Sequence, residues 1–158
     1  MSVPLQRVQD ILDVLKSNNN VFTDSNIPVN YCVVGTIQAG LALNKSFDVI
    51  DVDTGNVDED GNPILEKVID SDISSQEIYL AGLYAYRNYA LQEHDEMRRK
   101  AINFKTISFS VTGLTERAKE TMRIVWWCDE EITNVLNQLR KPIGNSSNMV
   151  GDKYGQRY

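Results

Sequence analysis

A chain of 158 residues and 17.9 kDa has room for one domain with one modest core, which argues against a two-domain enzyme. With 42% hydrophobic and 24% charged residues it has ordinary globular composition, not that of a disordered, collagen-like or mucin-like chain. A net charge of −6 is the wrong sign for gripping phosphate backbones, so nonspecific nucleic-acid binding is disfavoured.

From Pro4 to Lys16 the apolar residues Val8, Ile11, Leu12 and Leu15 recur at helical spacing, and Ser17 to Asn20 ends the run. This predicts a short amphipathic helix with Pro4 in its first turn. The Met1–Arg7 start lacks a basic region followed by an apolar stretch, so no secretion signal is expected and synthesis in a cytosol follows. A second helix is predicted from about Val29 to Leu43, with strand as the runner-up. Gly35 and Gly40 weaken this helix and leave places for close helix approach. The run is interrupted by Asn30, Thr36 and Gln38 and falls short of the ~20 residues a membrane span needs.

Phe47–Asp53 and Pro63–Ile69 are β-tolerant runs flanking Thr54–Asn62, a stretch rich in turn formers, and predict a β-hairpin with an acidic tip. Residues 48–77 hold ten acids against one base, Lys67, which leaves the remainder of the chain net positive. A solvated loop is the plain interpretation of that asymmetry, and an element facing something that must not stick is the sharper one. Asn56, Asp58, Asp60 and Gly61 imitate the start of an EF-hand loop. However, Lys67 stands at the twelfth position, where calcium requires a bidentate Glu.

Ser74 and Glu77 form a capping box that opens a helix from about Ser75 to Ala101. Tyr79, Leu83, Tyr86 and Ala90 share one of its faces, with Tyr89 beside them, and Gly82 on the same side allows a close neighbour. Arg98, Arg99 and Lys100 lie in the last turns, where they complement the helix dipole or, less readily, contact a phosphate. Ile107 to Val111 alternates apolar and polar residues and is predicted to be extended. The final helix is then expected from about Thr115 to Lys141, stopped by Pro142. Ala118, Thr121, Val125, Cys128, Ile132, Val135 and Leu139 make a heptad seam on a helix of roughly 40 Å. Ile124, Trp127, Glu131 and Leu136 lie off or beside it, so the apolar surface is wider than one partner helix covers, which leaves part of it for a second subunit. For Trp126 and Trp127, core filling is the first interpretation and an interface anchor the second.

Ile143 to Tyr158 lacks the apolar density to fold on its own. Such a polar, Gly-rich end takes a fixed shape only when something holds it. A neighbouring chain is the expected holder, with crystal packing or docking on its own domain as alternatives.

No catalytic constellation assembles from these residues. Cys32 and Cys128 have only His94 to join them, too few ligands for a zinc site and the wrong spacing for CxxC redox chemistry, so buried reduced thiols are expected. His94 lies in Glu93–Glu96 on the polar side of a helix and reads as a surface histidine. Phosphate-binding, dinucleotide, zincin and nucleophile-elbow motifs are missing from the sequence. The paired carboxylates of 48–77 stay hydrated and lack the desolvation a general acid needs. The expectation is a protein without catalytic activity and without a cofactor or metal.

Two stretches carry a resemblance. Ser74-Ser-Gln-Glu-Ile-Tyr-Leu80 through Tyr86-Arg-Asn-Tyr89, then Phe104 to Lys119 followed by a long helix, resemble a head-tail connector (adaptor) protein of tailed bacteriophages over roughly residues 70–140. The resemblance implies a largely helical subunit in a ring, commonly of twelve copies, beneath the portal vertex. It also implies a terminal segment that docks on the portal or a neighbour, a part the tail after Pro142 could play. The acidic hairpin is larger than the family suggests, which leaves adaptor, stopper and another neck component open.

The expected fold is therefore mainly α: about four helices with a long C-terminal one, one acidic β-hairpin at about 47–69, a single domain over 1–141 and an extended tail over 142–158. The expected function is a structural ring of the virion neck that joins the portal protein to a stopper or tail-proximal neck protein, with DNA passing through unbound. Candidate partner-binding residues are Trp126, Trp127, Ile143, Met149, Val150, Tyr154 and Tyr158. Asp51, Asp53, Asp58, Glu59 and Asp60 are candidates for facing the channel or the next ring. The alternative is a small helical protein-interaction or regulatory module, also non-catalytic, that binds through the Trp126–Trp127 region.

Overall fold

In chain order the elements are β1 (Val3–Pro4), α1 (Gln6–Asn18), α2 (Asn30–Leu43), β2 (Val49–Val57), β3 (Pro63–Ile69), α3 (Ser75–Asn103) and α4 (Ser108–Leu139). They come from a computed structural model that describes residues 2–19, 21–22, 26–103 and 108–141. The architecture is mainly α, with the three strands forming one small antiparallel sheet of order β1-β3-β2.

The longer sequence signals translate directly into packing. Ser74 and Glu77 close the capping box: the Ser74 N–H donates to Glu77 Oε2 at 2.7 Å and the Glu77 N–H to Ser74 Oγ at 3.3 Å. Glu77 is buried, and Lys45, arriving from the end of α2, is ion-paired with its other oxygen. From this anchored start α3 runs through the middle of the molecule and touches α1, α2 and α4. Leu80, Ala81, Leu83, Ala85, Tyr86 and Ala90 are all fully buried along it. Six of the seven seam residues of α4, from Ala118 to Val135, are buried and Leu139 is partly so, because a three-four spacing keeps one stripe turned toward α3.

The glycines set how near the helices come. A Cβ at Gly35 would lie 2.5 Å from the Ala81 carbonyl oxygen and 2.7 Å from the Ala85 nitrogen, so α2 rests on the backbone of α3 itself. At Gly82 a Cβ would meet Ile11 Cγ2 at 2.5 Å, which brings α1 in against another side of α3. Gly40 serves a different neighbour: it faces Lys45 O and Phe47, where the chain doubles back through the left-handed Asn44 (φ 54°) and the Lys45 N–H caps Gly40 O at 2.9 Å.

Three boundaries differ from the sequence expectation. Pro4 belongs to β1, not to a helix. It pairs opposite Val68 at the sheet edge, where a missing N–H is tolerated, while the Leu5 N–H bonds to Lys67 O at 2.9 Å. β2 runs on to Val57 through a register shift between Asp53 and Val57, with Gly55 at φ 76° absorbing the irregularity, so the turn shrinks to residues 58–62. Ser108 to Val111, predicted to be extended, is the first turn of α4. Alternation over so few residues is weak beside a long helix already nucleated downstream, since adding a turn to it incurs no nucleation cost. Ile107 lies outside the described residues, as does the tail 142–158.

Replacing Gly35 by Ala should cost about 1–3 kcal/mol or more in a thermal or denaturant melt, because its new methyl meets backbone. Gly82→Ala should cost less, since the Ile11 side chain can move and the helix gains propensity. Burial raises the Glu77 carboxyl, but the bonds from Lys45 and Ser74 outweigh it and hold the group below its ordinary value of 4.5. Its ionised form therefore stabilises the fold above about pH 4.5, and that contribution disappears as pH falls further. Glu77→Gln should melt lower than wild type at pH 7 by roughly 1–2 kcal/mol, and the difference should shrink in acid.

Candidate interaction surfaces

The groups with chemical potential are mostly engaged in structure. Cys32 and Cys128 are buried free thiols, as expected. The Cys32 thiol donates to Gln9 Oε1 at 3.3 Å across the α1–α2 contact. Burial, with Asp13 beside Cys32 and Asp129 beside Cys128, pushes both thiols up to about 12. His94 corrects the expectation of a surface residue: it is half-buried, and its Nδ1 lies 2.9 Å from the Ala118 carbonyl oxygen, tying α3 to α4. The signal was in the spacing, because Leu83, Arg87, Ala90 and His94 follow one helical stripe and Arg87 is ion-paired with Asp129 of α4. Among the described residues no group of three or more His, Cys, Asp or Glu side chains is placed to hold a metal.

The hairpin stands out from the helices on a buried base. Val68 and Ile69 are buried, whereas Asp51, Asp53, Asp58, Glu59 and Asp60 are exposed. Antiparallel register sets Asp51 opposite Lys67, and their side chains form an ion pair at 2.8 Å. That pair occupies the lysine at the twelfth position of the EF-hand-like stretch. Asp58 organises the tip, accepting from the backbone of Asn62 at 2.8 Å and of Asp60 at 3.0 Å, and from Asn62 Nδ2 at 3.3 Å. The Asn62 bonds first, then those of Asp60 and Gly61, hold its carboxyl below the usual aspartate value.

Two helices, α2 and α4, turn apolar side chains outward. On α4, Trp126 is 63% and Trp127 38% exposed, which overturns core filling for this pair; both lie off the seam that packs on α3, with Trp126 at the edge of the α3–α4 contact. On α2, Val34, Ile37 and Leu41 form an exposed stripe, with Leu41 70% exposed. Sequence reasoning assigned no role to that stripe. Its signal was the composition of Asn30–Leu43, fourteen residues without a charge, since a helix apolar on all sides is normally covered on all sides. The remaining partner-binding candidates, Ile143, Met149, Val150, Tyr154 and Tyr158, lie outside the described residues.

Between the second half of α3 and the first half of α4 is a cleft of about 560 Å³. Ala118, Met122 and Trp126 make its apolar surface, and His94, Arg98, Lys119 and Arg123 border it. Lys119 and Arg123 are each ion-paired within α4, to Glu116 at 2.8 Å and to Glu120 at 2.7 Å. A second cleft, of about 410 Å³, lies between α2 and α3 and is walled by amides and Tyr31; there Asn88 Nδ2 donates to Gln38 Oε1 at 2.7 Å.

The chain matches no family model, no curated protein and no solved structure. No helix among the described residues is long and apolar enough to cross a membrane.

With both thiols at about 12, almost no thiolate exists at pH 8. A disulfide reagent such as DTNB should leave the native protein unlabelled over minutes and titrate two thiols once denaturant is added. Rapid labelling of either cysteine in the native state would contradict this packing.

Proposed function

We propose that this chain is a non-catalytic structural subunit that assembles with copies of itself into a ring, acting as a head-tail connector in the neck of a tailed phage. The observation that carries the reading is the pair of unlike apolar faces, the charge-free stripe of α2 and the tryptophan surface of α4, on helices that pack against different sides of α3. One exposed patch of this kind suits a single partner or a two-fold dimer. Two different ones suit a head-to-tail contact, in which the α2 face of one copy meets the α4 face of the next, and such contacts close into rings when the rotation allows. The resemblance over residues 70–140 adds the phage neck, with the portal protein on one side, a stopper or tail-proximal protein on the other, and the virion as the final location.

The acidic stem fits the same reading. Asp53, and Asp51 with its partly compensating Lys67, present carboxylates that would let DNA slide through a channel without sticking, whereas a basic surface would trap it. The chain then needs no active site, only rigid faces.

Mass measurement tests this. Sedimentation velocity or native mass spectrometry should find a ring near twelve copies, and the double variant Ile37→Asp/Leu41→Asp should keep wild-type circular dichroism yet sediment as single chains. Loss of anchors of this size is expected to remove about 2 kcal/mol or more per contact. A wild-type chain that remains a stable monomer or dimer would favour the helical interaction module instead.

A further inference from the structure

The molecule has two electrostatic poles that its own fold keeps apart. At one is the hairpin tip, where Asp58, Glu59 and Asp60 surround two exposed apolar side chains: Val57, 64% exposed, and Leu65, 56% exposed. These two share a face, because Val57 pairs with Pro63 and Leu65 is two residues further along the same strand. At the other pole is the α3–α4 cleft, with an apolar surface ending in Trp126 and with Arg98, Lys119 and Arg123 at its border. The tip is apolar flanked by acid, and the cleft is apolar flanked by base. The ion pairs of Lys119 and Arg123 are exposed to solvent and lie within one helix, so both cations can exchange partners readily.

The tip does not fill the cleft of its own chain, since its side chains stand in solvent. The hairpin leads into the start of α3 at Ser75, while Arg98 lies more than six turns along that helix, roughly 34 Å away at ~1.5 Å per residue. We propose that the cleft seats the hairpin tip of a second copy of this chain, Val57 and Leu65 lying against Met122 and Trp126 while Asp58, Glu59 and Asp60 meet Arg98, Lys119 and Arg123. This contact rests on the ring reading and deepens it: the tip acids join neighbouring subunits, and the stem acids Asp51 and Asp53 are left for the channel.

Charge reversal in two separate chains tests the contact. One chain carries Asp58→Lys, Glu59→Lys and Asp60→Lys; the other carries Lys119→Glu and Arg123→Glu. Each alone should fold, as judged by circular dichroism and thermal melting, and should need about tenfold or more protein to assemble than wild type does. An equimolar mixture should recover assembly, because acid tips then find basic clefts and basic tips find acid clefts alternately around the ring. If each variant assembles as wild type does, the tip–cleft contact is overturned and the ring reading stands. A mixture no better than its components also overturns the contact. A wild-type chain that is monomeric at every concentration removes both.

Discussion

The placement of every outward surface depends on how closely α2 can lie against α3. At Gly35 the two backbones come into contact, with the Ala81 carbonyl and the Ala85 nitrogen where a side chain would otherwise be. Ala81, Gly82 and Ala85 are small, so two helices can approach α3 closely from different directions, α2 at Gly35 and α1 at Gly82. The long α4 is joined to α3 further along, through Arg87 to Asp129 and His94 to the Ala118 carbonyl. A helix surrounded this way has little freedom to rotate, and the faces that α2 and α4 turn outward are fixed with it. The Glu77 cap with its Lys45 partner adds a second restraint, tying the end of α2 to the first turn of α3.

That rigidity gives the exposed features their meaning. An apolar stripe on a mobile helix could be buried by rearrangement of that helix; one on a helix held against backbone at Gly35 stays outward unless something is laid over it. Leu41 and Trp126 are the most exposed large apolar side chains on α2 and α4, helices whose opposite sides are in the core. β2 is an edge strand, and the exposed aspartates along it disfavour indiscriminate strand pairing at that edge.

The hairpin is held only at its base. Val68 and Ile69 are buried, Val49 and Lys67 are partly so and Leu5 bonds to the Lys67 carbonyl, while residues 50–57 and 63–66 of the two strands are solvent-exposed. A ribbon of this kind contributes little to the stability of the chain that carries it. Under the proposed ring, its length and dense negative charge would serve contacts outside the subunit, with passing DNA or with a basic surface on a neighbour. Association through such a contact is sensitive to ionic strength, since exposed charges are screened beyond about 10 Å at 0.1 M salt.

Much of the fold was legible because its signals are periodic or local. The seam from Ala118 to Leu139, the capping box at Ser74 and Glu77, and the hairpin arms around residues 54–62 each depend on near neighbours in sequence, which pattern alone reveals. Gly35 and Gly82 could be recognised as sites of close approach, but not what approaches them. Less legible were the features settled between distant segments. Pro4 joins a sheet because Val68 lies beside it, and Ser108–Val111 follows the helix after it instead of its own alternation. By itself the sequence determined four helices, an acidic hairpin and two buried thiols, because period and composition dictate which residues avoid water. Only the tertiary structure decided that Trp126, Trp127 and the α2 stripe remain outside, that His94 turns inward to Ala118, and that no hairpin residue lines the α3–α4 cleft. The physical reason is that hydrophobicity states a preference for burial, while the crowding of three helices around α3 determines which apolar side chains find room.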